Sequence, residues 1–176
     1  MTIFKIALLQ IDPTGSMEGN LEKGLDYCRQ AKNSGADLAL FPEAWQAGYA
    51  PELMNTEFAI DNTHSFITEH VNLAKELQMA IAVTYIKRDD NGPKNNLLLI
   101  DQYGNIILEY AKVHICDFKP DGLEDALFAS GLSNPSDFQL KSYIQLLLFQ
   151  SQRQLTSYQN FFYEFAHEGC RLAKGK

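Results

Sequence analysis

Long apolar runs, basic clusters and evenly paired cysteines are all missing from these 176 residues, and each absence removes a class of protein. Apolar runs such as 97–100 and 146–149 fall far short of the ~20 residues that a membrane-spanning helix needs, so no membrane partner is expected. Lys and Arg number 15 against 22 Asp and Glu, giving a formal charge of −7, and they form no cluster. Nucleic-acid binders neutralise phosphates with clustered cations, so no nucleic-acid partner is expected. The three cysteines are widely separated and odd in number, which suits neither a disulfide framework nor a zinc site. Nothing at the start reads as a basic, then apolar, then cleavable leader. The expectation is a reduced, cytoplasmic protein. With 45% hydrophobic residues, the chain can bury a real core in one domain.

What is present reads as alternating strands and helices. Residues 3–9 are apolar and β-branched enough for a buried strand, stopped by Asp12, Pro13 and Gly15. Asn20 is a candidate cap for a helix carrying Leu21, Leu25, Cys28 and Ala31 on one stripe. Gly35, just after Ser34, supplies the left-handed residue that closes such a helix. A second strand over 37–41 follows, and a strand–helix–strand unit normally pairs its strands in parallel. Phe66, Ile67, Val71, Ala74 and Leu77 mark a second amphipathic helix, leading to a third strand over 80–86. Residues 96–101 and 106–110 then flank Gln102, Tyr103, Gly104 and Asn105, a turn tetrad that predicts a hairpin. Parallel units plus a hairpin imply a mixed sheet in an α/β domain.

Composition shifts after Gly131. Ten of the 15 basic and 19 of the 22 acidic residues lie at or before it, so the front carries −9 and the remainder +2. Glutamines crowd this remainder. Its apolar residues, among them Leu140, Tyr143, Ile144, Leu147, Tyr158, Phe161, Phe162 and Phe165, fall near a helical stripe, and Asn134 followed by Pro135 suits its first turn. The expected organisation is a front portion over 1–131 and a divergent, mostly helical tail over 132–176.

Three residues could carry chemistry. Glu43 follows an apolar strand directly, and the carboxyl ends of strands are where ligands gather in α/β sheets. With Phe41 and Trp45 nearby it would be partly desolvated, as suits a general base. Lys112 closes the second hairpin strand, where a cation could oppose a developing oxyanion. Glu124 lies in an acidic stretch with Asp121 and Asp125. Taken singly, each is also what a solvated surface charge looks like.

Taken together and in order, they form a pattern. FPEAWQAGY (41–49), NNLLLIDQYGNIILEYAKVHICDF (95–118) and EDALFASG (124–131) resemble three landmark segments of the nitrilase, or carbon–nitrogen hydrolase, superfamily. The opening stretch over 3–43 is similar to that family's first strand–helix–strand, so the resemblance covers 1–131. It implies a four-layer α-β-β-α sandwich with mixed sheets, here incomplete, and the apolar spacing of the tail adds a long C-terminal helix. It also implies metal- and cofactor-free hydrolysis of a small non-peptide amide, nitrile or N-carbamoyl compound, and assembly into a homo-oligomer. By resemblance, Glu43 is the general base, Lys112 the cation that stabilises the tetrahedral intermediate, and Glu124 the second glutamate. In that chemistry a cysteine thiolate attacks the substrate carbon, ammonia or an amine leaves, and water releases the acyl-enzyme.

The segment that would bear the family's cysteine has no counterpart in the sequence. Cys116, four positions after Lys112, is one substitute, since a nearby ammonium favours a thiolate. Cys170 lacks the family context, Cys28 sits on the apolar stripe of the first helix, and His114 reads as a loop or packing residue. Two accounts of the tail follow. In one, a truncated or shifted reading frame leaves a hydrolase without its nucleophile and with little activity. In the other, a tail helix covers the open sheet and makes a non-catalytic binding or assembly module.

Overall fold

A computed structural model describes residues 3–48, 56–113 and 162–166. The first unit is the expected one: β1 (Ile3–Leu8), α1 (Met17–Asn33) and β2 (Leu38–Leu40), with β1 and β2 parallel. Then come α2 (Ser65–Leu77), β3 (Ala80–Lys87) parallel to β2, and the antiparallel hairpin of β4 (Lys94–Ile100) and β5 (Ile106–Ala111). A last strand, β6 (Phe162–Ala166), pairs antiparallel with β1. The mixed sheet runs β5-β4-β3-β2-β1-β6.

Two sequence expectations change. Asn20 does not cap α1. Ser16 does, its Oγ accepting from Gly19 N at 3.1 Å, because extended backbone at Ser16 aims a short hydroxyl at the first free N–H groups. Asn20 is instead wholly buried one turn inside the helix. The second change concerns the tail. Of the expected helical stripe, the described part at 162–166 is a strand. Aromatic residues there suit a strand as well as a helix, and the outer edge of β1 offers unpaired backbone groups to bond. The rest of the stripe lies outside the described residues.

Alternation along the strands sorts their side chains onto two faces. Ala7, Leu9, Ala39, Phe41, Ile81, Val83, Tyr85, Leu98 and Ile100 face the helices and pack with Cys28, Ala31, Phe66, Ile67, Leu73 and Ala74 in the main core. The α1 backbone approaches this core closely at Gly24. A Cβ there would sit 2.7 Å from Trp45 Nε1 and 2.8 Å from Phe41 Cε1, so only glycine lets the helix rest on the aromatic pair. Leu8, Leu40, Ala82 and Leu97 form a smaller cluster on the opposite face, with Ile6, Leu38, Leu99 and Leu108 packed against it. One helical layer on one sheet is half of an α-β-β-α sandwich.

Candidate active site

The loop after β2 carries the first candidate residue, and its shape is held from both sides. Phe41 N still bonds Ala82 O at 3.0 Å, continuing the β2–β3 ladder. The chain then turns through Pro42 and Glu43 to Ala44, whose φ of 52° lies in the left-handed region that a residue with a Cβ seldom adopts. The Thr84 hydroxyl, buried within β3, donates to Pro42 O and accepts from Trp45 N at 3.0 Å, so one side chain brackets Glu43. Behind it, Asn20 Nδ2 donates to Trp45 O and Gln46 O, each at 3.2 Å. Gln46 donates to Phe58 O at 2.7 Å and accepts from Ile86 N at 3.0 Å. Buried amides that satisfy loop backbone in this way replace the ladder the loop has left.

Glu43 and Lys112 meet at the end of the sheet. Lys112 Nζ lies 2.7 Å from Glu43 Oε1, with side-chain exposures of 12% and 8%. Asn95 Nδ2 donates to the same oxygen at 2.5 Å, and Asn95 is 6% exposed. The register explains the meeting. Asn95 pairs with Ile86 across β3–β4, and Lys112 N bonds Asn95 O at 2.8 Å just past the end of β5. Asn95 lies on the face of Leu97 and Leu99, away from the helices. The trio therefore ends the smaller apolar cluster.

The desolvation expected for Glu43 is present, but by another route. Phe41 and Trp45 stack on each other at 5.6 Å inside the helix-side core. Asn95 and Lys112 meet the carboxylate instead. A nearly buried carboxylate and ammonium tolerate that position only as a hydrogen-bonded pair. Such a pair offers a base and a fixed positive charge in one low-dielectric spot.

Asn95, Thr84 and Gln46 were not singled out from the sequence, and Asn20 was read only as a helix cap. The available signal was a pair of asparagines, Asn95 and Asn96, opening an otherwise apolar strand. Asn96 faces the helices, where its Nδ2 donates to Tyr85 Oη at 2.9 Å and Tyr85 in turn donates to Asn62 Oδ1 at 2.6 Å. Burial pushes the Tyr85 hydroxyl well above the usual tyrosine range. Cys28 is where the sequence put it, fully buried on the helix-side face, and burial raises its thiol far beyond reactive values. Glu124, Cys116, Cys170 and His114 lie outside the described residues. Among the described residues no group of three or more His, Cys, Asp or Glu is placed to hold a metal ion, and no helix is long and apolar enough to cross a membrane.

Known proteins resemble this chain in sequence and fold over part of their length. The family model for carbon–nitrogen hydrolases matches residues 5–146. A glutamine-dependent NAD(+) synthetase of Thermotoga maritima is 27% identical over 121 residues, covering 67% of this chain and 20% of its own length. An N-carbamoylputrescine amidase of Solanum tuberosum is 30% identical over 121 residues, covering 66% of this chain and 39% of its own. The crystal structure of an amidase from Nesterenkonia sp. superposes with a TM-score of 0.62 at 23% identity, over 75% of this chain and 49% of that one. This chain therefore spans at most about half the length of these relatives. With the family match running across most of its length and the fold in agreement, the chain belongs to the carbon–nitrogen hydrolase family.

Proposed function

We propose that this chain carries the base-and-cation part of a carbon–nitrogen hydrolase site acting on a small amide, nitrile or N-carbamoyl compound. The observation that carries this reading is the Glu43–Lys112 pair, 2.7 Å apart and almost closed to solvent at the carboxyl end of a parallel strand. In the reaction, Glu43 takes the proton of a cysteine nucleophile as its sulfur attacks the substrate carbon. Lys112 lends positive charge to the tetrahedral intermediate, ammonia or an amine departs, and water hydrolyses the thioester. Glu124 is assigned by its place in the family's order of landmarks as the second glutamate, whose role in the family is to help position substrate and lysine. Cys28 is excluded as the nucleophile because it is sealed on the far side of the sheet.

Cys116, close to Lys112 in sequence, is the thiol to test as a substitute, although the family's nucleophile comes from another segment. Turnover of a panel of small amides, nitriles and N-carbamoyl compounds tests the reading, and little or no turnover by this chain alone is the expected result. Robust turnover that disappears in Cys116→Ala would make Cys116 the nucleophile. Turnover surviving in a variant without any of the three thiols would overturn the thiol mechanism. A reduced, cytoplasmic homo-oligomer is the setting that the odd cysteine count and the family resemblance favour. Light scattering on the purified chain checks the assembly, and heterogeneous aggregates would count against it.

A further inference from the structure

We infer that Asn95 is a positioning residue, whose side-chain amide holds the Glu43 carboxylate by one oxygen while its backbone holds Lys112. The inference rests on reading Glu43 as the base and adds a residue to that site. Three distances carry it. Asn95 Nδ2 reaches Glu43 Oε1 at 2.5 Å, Lys112 Nζ reaches the same Oε1 at 2.7 Å, and Asn95 O accepts from Lys112 N at 2.8 Å. One residue thus sets both partners of the pair, from its two ends.

Both donors meet the carboxylate at the same oxygen, Oε1, and so anchor it there. The second donor matters because a lone ammonium is a poor positional restraint. An ammonium on a flexible four-carbon stem accepts many approach directions. An amide fixed at 6% exposure within a strand accepts one. The nearest strand neighbours argue against a packing role. Leu97 and Leu99, on the same face of β4, are apolar, and a leucine at position 95 would continue their row. An amide in that row is explained by the carboxylate it meets.

The test needs no turnover, so it is separable from the hydrolase reading. In the full chain, the Asn95 side-chain 1H–15N pair is expected to be displaced from the ordinary amide position and slow to exchange, and to lose both properties in Glu43→Gln. Trinitrophenylation of the Lys112 amine by trinitrobenzenesulfonate, in which sulfite leaves the ring, is read by mass spectrometry and is expected to be about fivefold faster in Asn95→Leu, the factor one net hydrogen bond is worth. Asn95→Ser, whose hydroxyl is too short to reach Glu43, gives the same rise if the leucine variant does not fold. A solvent-like Asn95 amide signal, or Lys112 trinitrophenylated at the native rate in a folded variant, overturns the inference. If the chain does hydrolyse an amide, Asn95→Leu should lower kcat by on the order of 10- to 100-fold with KM little changed. An unchanged kcat would overturn it equally.

Discussion

On the helix-covered face of the sheet, Phe41, Trp45, Phe66, Tyr85 and Ile100 lie fully or almost fully buried in one continuous core. On the other face Leu8, Leu40, Ala82 and Leu97 form a smaller buried cluster, and the row ends in an asparagine, a glutamate and a lysine. Adjacent residues of one strand show the contrast. Tyr85 sends its hydroxyl into an asparagine network under α2, whereas the hydroxyl of Thr84 brackets Glu43. The first arrangement stabilises the fold. The second spends a buried polar group on holding a charge in place. One sheet can serve both ends because a strand's alternation keeps the two environments from mixing.

The comparison can be broken most forcefully on the helix side. Phe66→Ala should cost about 3–5 kcal/mol, the usual penalty for emptying a fully buried aromatic site, and urea denaturation measures it. A loss under about 1 kcal/mol would mean that the helix face is not the stabilising one. On the other face, Lys112→Met should cost about 3 kcal/mol by leaving Glu43 buried without its cation. The double variant with Glu43→Leu should recover most of that loss, because removing both charges leaves none uncompensated. A double variant no better than the single one would show that the pair is not coupled.

Acid sensitivity should also belong to the helix face. His70 is wholly buried, with Nδ1 2.6 Å from Phe66 O and Phe41 edge-on at 5.2 Å. Burial pushes its ring down from 6.5 to about 4. The folded state thus favours the neutral ring, so this contribution is complete above about pH 6.5 and is lost as the pH falls towards about 4. At most it amounts to about 3 kcal/mol. Denaturation midpoints across that window should fall in the native chain and fall much less in His70→Leu. Equal slopes would sink the assignment. Thr84→Val should be milder, about 1–3 kcal/mol, from the two backbone groups it leaves behind. The smallest effect belongs to neither face: Arg29→Ala removes an exposed pair with Glu76 and should change stability by less than about 0.5 kcal/mol.

Much of the architecture was legible because burial writes periodicity into sequence. The stripe from Leu21 to Ala31, the helix through Phe66 and Leu77, and the hairpin around Gly104 all lie where the apolar spacing put them. Asn20 was misread because a polar residue ahead of an apolar stripe looks like a cap. Its Oδ1 accepts from Thr14, but its Nδ2 donates to Trp45 O and Gln46 O, 25 and 26 positions away. Local spacing holds no record of such distant contacts. The strand at 162–166 was misread for a related reason, since strand pairing with β1 is not encoded in a short aromatic run alone.

Glu43 and Lys112 were visible singly, as charges at strand ends, and their order matched a family. Their sequence by itself determined the alternation of strands and helices, the sealed environment of Cys28 and the residue types available for chemistry. Only the tertiary structure decided that residues 69 positions apart share one oxygen, and that Asn95 joins them there. The reason is register: a pleated ladder fixes which residues of distant strands stand opposite one another. A shift of one residue would turn Asn95 to the helices and part it from Glu43.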